Sequence, residues 1–112
     1  MFNFLKMDLA SLLTGTKWDM IELLSKKSSS PSDLASALNT TIANISQQIR
    51  LLETAGLVKR ERSGQGKPGK PRVLFSIADD FCLITFFSEG FARKKLLKLS
   101  KEQKRMMQNL LA

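Results

Sequence analysis

Residues 31–56, PSDLASALNTTIANISQQIRLLETAG, read as two short helices joined by a tight polar turn. Pro31 behind Ser30 starts the first helix, with Ser30 as N-cap and Asp33 where the helix dipole favours negative charge. Leu34, Ala35 and Leu38 form its apolar stripe. Asn39 tolerates the left-handed backbone that stops that helix, Thr40 or Thr41 caps the second, and Gly56 ends it. Ile45, Ile49 and Leu52 fall on one face of the second helix, while Ala43, Gln47, Arg50 and Thr54 point the other way. That arrangement is a helix-turn-helix whose second helix presents a polar face suited to reading DNA.

Working outward, residues 57–62, LVKRER, are strand-like and basic, SGQGKPGKP forms a loop, and residues 72–77, RVLFSI, form a second strand. Strand, basic Gly/Pro-rich tip and strand make a wing. The passage LETAGLVKRER, in the order helix pair, AGLV corner and basic hairpin, resembles the winged helix-turn-helix repressors of the ArsR type. The resemblance spans residues 16–77 and implies a homodimer whose N- and C-terminal helices pack across a twofold axis. TKWDMIELLSK resembles the helix that precedes the helix-turn-helix in that family, which implies a DNA-backbone contact for Lys17. Metal sensors of that family carry cysteine pairs in the first helix of the motif, or Asp/His sets in the C-terminal helix. SDLASAL has no cysteine, and DDFCLITFFSEG has no histidine.

The charge pattern agrees with a DNA-facing surface. Of the net +8, residues 1–40 hold four basic and four acidic groups, residues 41–75 seven and two, and residues 76–112 seven and four. The excess lies mainly in the recognition helix and wing, the footprint of a polyanion-binding surface. Thr41, Ala43, Asn44, Ser46, Gln47 and Arg50 are the expected groove contacts. Lys17, Arg60, Arg62, Lys67, Lys70 and Arg72 are the expected backbone and minor-groove contacts.

Both ends of the chain read as helical. Phe2, Leu5, Leu9, Leu12 and Leu13 form a first amphipathic helix, and Thr16 caps a second with Trp18, Met20, Ile21 and Leu24 facing inward. After the wing, Asp79 or Asp80 opens a long apolar helix with Phe81, Ile84, Phe86 or Phe87, and Phe91 at helical spacing; Gly90 kinks or breaks it. Ser100 with Gln103 makes a capping box for a last helix, KEQKRMMQNLL. The expected fold is therefore mainly α with a small β-hairpin: one winged helix-turn-helix domain over 1–112. Residues 16–77 form its DNA-binding core, and 1–15 and 78–112 are helical dimerisation segments carrying Leu5, Leu9, Phe87, Phe91, Met107 and Leu110.

Composition excludes other classes. One cysteine, Cys82, rules out an internal disulfide framework and reads as a small buried hydrophobe; no histidine leaves neither the commonest metal ligand nor the usual catalytic base. No segment reaches the roughly 20 apolar residues of a membrane span, and Asp8 interrupts any signal-like core, so a cytoplasmic protein is expected. Gly64, Gly66 and Gly69 spell GxGxxG, and residues 64–70 spell GxxxxGK. Pro71 and a β-branched, aromatic strand follow, where a phosphate site needs a helix N-terminus. The expectation is a non-enzymatic, cofactor-free, sequence-specific regulator of transcription that binds double-stranded DNA as a homodimeric repressor, with effector unknown. The alternatives are a winged-helix protein–protein adaptor and a non-specific chromosome-coating protein.

Overall fold

Ser30 and Asp33 start the decisive helix by reciprocal bonds. The Asp33 backbone N–H donates to Ser30 Oγ at 3.1 Å, and the Ser30 N–H donates to Asp33 Oδ2 at 3.2 Å, a capping box that satisfies two otherwise orphaned donors. The structure, a computed structural model, describes residues 13–67 and 70–112, with residues 62–67 and 70–72 in backbone only. The expected helix over residues 2–13, with Leu5 and Leu9, lies almost wholly outside the described residues.

The described elements run α1 (Gly15–Lys26), α2 (Pro31–Ala37), α3 (Ile42–Thr54), β1 (Val58–Lys67), β2 (Lys70–Ile77), β3 (Phe81–Ser88), β4 (Phe91–Lys98) and α4 (Lys101–Leu111). Contacts divide into two compact units, the first ending at Ala78 and the second beginning at Asp79.

In the first unit both helices of the motif end in the same device. Asn39 takes φ 52° after α2, with Asn39 N–H donating to Ser36 O and Thr40 N–H to Ala35 O; Gly56 takes φ 78° after α3, with its N–H donating to Glu53 O and Leu57 N–H to Leu52 O. These paired bonds recover carbonyls that a bare helix end would leave without partners. Thr41 caps α3, its Oγ1 accepting from Asn44 N–H at 3.1 Å. α2 packs on α3, and α1 packs on β2 and α3. Between them lies the core of Met20, Leu24, Leu34, Ala35, Ile45, Ile49, Leu52, Ala55, Leu57, Val58 and Phe75. Each of the larger side chains contributes about 1.5–3 kcal/mol on leaving water. Trp18, expected inside, is 45% exposed, and α1 begins at Gly15 behind Thr14 rather than after Thr16.

β1 and β2 pair antiparallel, Val58 against Ile77 and Arg60 against Phe75, with an irregularity between Ser63 and Lys67. Ser29 adds a bridge on the other edge of β2: its N–H donates to Phe75 O at 3.0 Å and its O accepts from Phe75 N–H at 2.8 Å. The segment before α2, a polar linker by composition, thus ties the motif to the wing.

The second unit departs from expectation. The long helix expected from Asp79 or Asp80 is instead the β3–β4 hairpin, in register from Phe81 opposite Lys98 to Ser88 opposite Phe91. Helical spacing of Phe81, Ile84, Phe87 and Phe91 coincided with a β-branched, aromatic run that favours strand, and short apolar runs do not distinguish the two periods. Gly90, with φ 83°, turns the hairpin. The last helix is as expected: Ser100 Oγ accepts from Gln103 N–H at 3.2 Å, and Gln103 Oε1 accepts from Ser100 N–H at 2.9 Å. Asp79 pairs with Lys98 at 2.7 Å and Asp80 with Lys104 at 3.2 Å, fastening the hairpin base and α4.

Candidate nucleic-acid interface

Because Ile45, Ile49 and Leu52 are drawn into the core, α3 must turn the opposite row outward. Thr41, Ala43, Ser46, Gln47 and Arg50 are all exposed. Ile42 at the first helical position is 53% exposed.

Asn44 is placed differently from its neighbours. It is half-buried, its Nδ2 donates to Thr40 Oγ1 at 3.0 Å, and its Oδ1 accepts from Gln48 Nε2 at 3.4 Å. Both ends of its amide thus carry one bond each within the turn and helix, which fixes the orientation of the side chain. Gln48 is half-buried as well, and its Oε1 is buried without a partner.

At the base of the wing Arg60 is held from two sides. Its Nη2 lies 3.0 Å from Glu53 Oε1, and its guanidinium sits 5.4 Å from the centroid of the Phe75 ring, directly across the ladder. Arg60 thereby joins the end of α3 to β1 and β2 around a shallow concavity whose walls include Ser46, Arg50 and Val73. On the other face of β1, Glu61 lies 3.7 Å from Lys59 and accepts from Ser76 Oγ at 3.0 Å. Exposed pairs of this kind contribute little to stability, about 0–1 kcal/mol.

Register places the remaining wing cations further out. Arg62 stands opposite Val73, Arg72 opposite Ser63, and Lys67 directly opposite Lys70. The side chains of Arg62, Lys67, Lys70 and Arg72 lie outside the described ones.

Lys17 is half-buried in the first turn of α1, the end at which the helix dipole disfavours a cation. Of the residues expected to dimerise, Phe87 and Phe91 belong to no helix; they lie on β3 and β4 and are exposed. Met107 is half-buried and Leu110 exposed on α4. Cys82 is a free, half-buried thiol on β3, beside Leu99, Met107 and Leu111. Among the described residues no three His, Cys, Asp or Glu side chains gather as metal ligands, and no helix is long and apolar enough to cross a membrane.

Sequence reasoning missed Ser29, whose role is a backbone bridge without a side-chain signature, and the pinning of Arg60. The Glu53–Arg60 separation of seven residues crosses an element boundary and follows no single periodicity.

No curated protein matches the chain. Residues 13–67 match the profile of the MarR family, which takes in α1, α2, α3 and β1 and ends short of β2. The similarity is to that family and not specifically to the ArsR type that LETAGLVKRER resembles. The segment 13–67 is therefore similar to the MarR family of DNA-binding transcription regulators, and with β2 it makes a winged helix-turn-helix.

Proposed function

We propose that the protein is a sequence-specific double-stranded DNA-binding regulator that acts in the cytoplasm as a homodimeric repressor. The observation that carries this reading is the exposed row Ala43, Ser46, Gln47 and Arg50 on α3, kept out of the core by Ile45, Ile49 and Leu52. Gln47 suits adenine, and Arg50 suits guanine or a phosphate. The wing supplies charge that positions the protein without reading sequence. The AGLV corner shared with ArsR-type repressors is compatible with the same docking. Repression needs only occupancy, since a protein seated in the groove blocks other proteins from an overlapping site.

Dimerisation is assigned to α4 and the N-terminal segment. Met106, Leu110 and Leu111 are exposed on α4, an apolar face that a second copy can cover, with Leu5 and Leu9 contributing from outside the described residues. No cofactor is required.

Selection of bound sequences from random duplex DNA tests the proposal. The expected product is an inverted repeat, bound with an affinity that falls steeply with salt. Equal binding to all duplexes would favour the coating protein. Absence of DNA binding at moderate salt would favour the adaptor.

A further inference from the structure

The second unit carries an arm that the winged helix does not explain. Every residue from Thr85 to Lys95 is exposed, so the distal part of the β3–β4 hairpin is uncovered on both faces. Its end is aromatic. Phe87 is 79% exposed, and Phe86 and Phe91 meet edge-to-face at 5.9 Å. Behind the aromatics the hairpin is cationic: Arg93, Lys94, Lys95 and Lys98 all lie on β4, and Glu89 in the turn is the single acid between Phe81 and Lys98. Arg93 reaches forward over Phe91, 5.1 Å from the ring centroid.

Strand alternation gives both faces the same order of chemistry. Phe86 and Phe91 share a face with Arg93 and Lys95, and Phe87 shares the other with Lys94, while Lys98 further back on that face is paired with Asp79. From this geometry we infer that the β3–β4 hairpin is a second DNA-contacting arm, in which the cations of β4 track phosphates and Phe87 wedges between base steps of duplex flanking the site bound by α3. The inference rests on the reading of the first unit as a DNA-binding module.

Charge decides between occupants of the arm. Pairing of two copies through a twofold axis brings the same patch against itself, which would gather Arg93, Lys94 and Lys95 from both chains around the aromatics. A polyanion instead complements every one of these cations, and apolar wedges backed by Arg and Lys part base steps and bend the duplex toward the major groove. Three residues separate Ile77 of β2 from Phe81 of β3, so once the first unit is bound the arm meets flanking DNA at high local concentration.

The test compares a duplex containing only the selected site with one extended at both ends, using parent, Phe87→Ala and a Lys94→Ser/Lys95→Ser double variant. These side chains are exposed, and circular dichroism checks that the fold is kept. The parent should gain about tenfold affinity from the flanks, the worth of one or two phosphate contacts and a wedge. Both variants should bind the short duplex like the parent and lose that gain. The double variant should also lower the slope of log affinity against log salt by about two on the long duplex. A 2-aminopurine placed in the flank should brighten with the parent and stay quenched with Phe87→Ala, since unstacking relieves its quenching.

If parent and variants bind both duplexes alike, the arm does not touch DNA and the inference fails, while the reading of α3 stands. Conversion of dimer to monomer by Phe87→Ala in sedimentation, without a flank effect, would overturn it in favour of a contact between copies. Binding of anionic phospholipid vesicles that the variants lose, again without a flank effect, would overturn it in favour of a membrane surface. A parent that binds no duplex defeats both readings together.

Discussion

Asn39 shows how far a single residue can be read. A non-glycine residue at φ 52° is tolerated chiefly as Asn or Asp, and here it closes α2 so that Thr41 can open α3 three residues after Leu38. Asn39→Ala is expected to lower stability by about 1–2 kcal/mol, and Asn39→Gly by only a few tenths or not at all. Thermal denaturation of the two variants checks this; equal losses would mean that backbone conformation is not what the position selects. Gln47 and Asn44 separate in the same manner. Gln47→Ala should cost about 1–3 kcal/mol of base discrimination. Asn44→Ala should chiefly cost stability, about 0.5–1.5 kcal/mol, because its amide is bonded to Thr40 and Gln48. Binding to a panel of single-base operator variants, alongside melting curves, distinguishes the two roles. Both residues looked alike in the sequence, since polarity and helical phase are visible there and hydrogen-bond partners are not.

At the scale of elements, the wing and the second hairpin make contrasting cases. The wing was legible because Gly and Pro marked its tip and charges flanked it. Lys67→Ala should weaken binding to all duplexes similarly and reduce the salt slope by about one, which titration at several salt concentrations will show. A selective loss on one sequence would place Lys67 at a base instead. The second hairpin is not legible in this way, because FCLITFFS satisfies a helical and a strand pattern together and Gly90 suits a helix kink as well as a hairpin turn. Its base carries a pH signature. The hydrogen bond to Asp79, and then its charge, hold Lys98 protonated above the ordinary lysine range. A raised lysine stabilises fully below its unfolded value and loses that contribution as pH rises through the folded one. The stability difference between parent and Lys98→Met should therefore be flat from about pH 6 to pH 9 and close only above about pH 10.4. Denaturant titrations across that range measure it, and a difference that closes near neutral pH would show that another group controls the pair.

For the whole molecule, the two units differ in how they are held. Among the described residues the buried apolar side chains fall between Met20 and Phe75, whereas every residue of Asp79–Ala112 is half-buried or exposed. A two-stranded hairpin with one short helix is marginal alone. Removal of residues 100–112 should weaken the proposed dimer in sedimentation while leaving the melting of the first unit in place. A truncated chain that stays dimeric at micromolar concentration would move the interface elsewhere. Soft metals need three or four thiolates or imidazoles, and the chain offers one thiol and no imidazole. DNA affinity should therefore be unchanged by zinc or chelator, in the parent and in Cys82→Ser alike.

The sequence by itself determined much of the local order: the Ser30 cap, the stops at Asn39 and Gly56, the inward row Ile45, Ile49 and Leu52, and, in the second unit, the capping box at Ser100; between Thr40 and Thr41 as the cap of α3 the structure selects Thr41. Each follows from side chains within four residues of one another, where backbone sterics and helical phase leave few choices. Only the tertiary structure decided that Ser29 bridges to Phe75, that Arg60 lies between Glu53 and Phe75, and that Phe81–Ser88 and Phe91–Lys98 pair as strands. These depend on groups brought together across the chain, and where two local patterns are nearly degenerate the partner, not the segment, selects the fold.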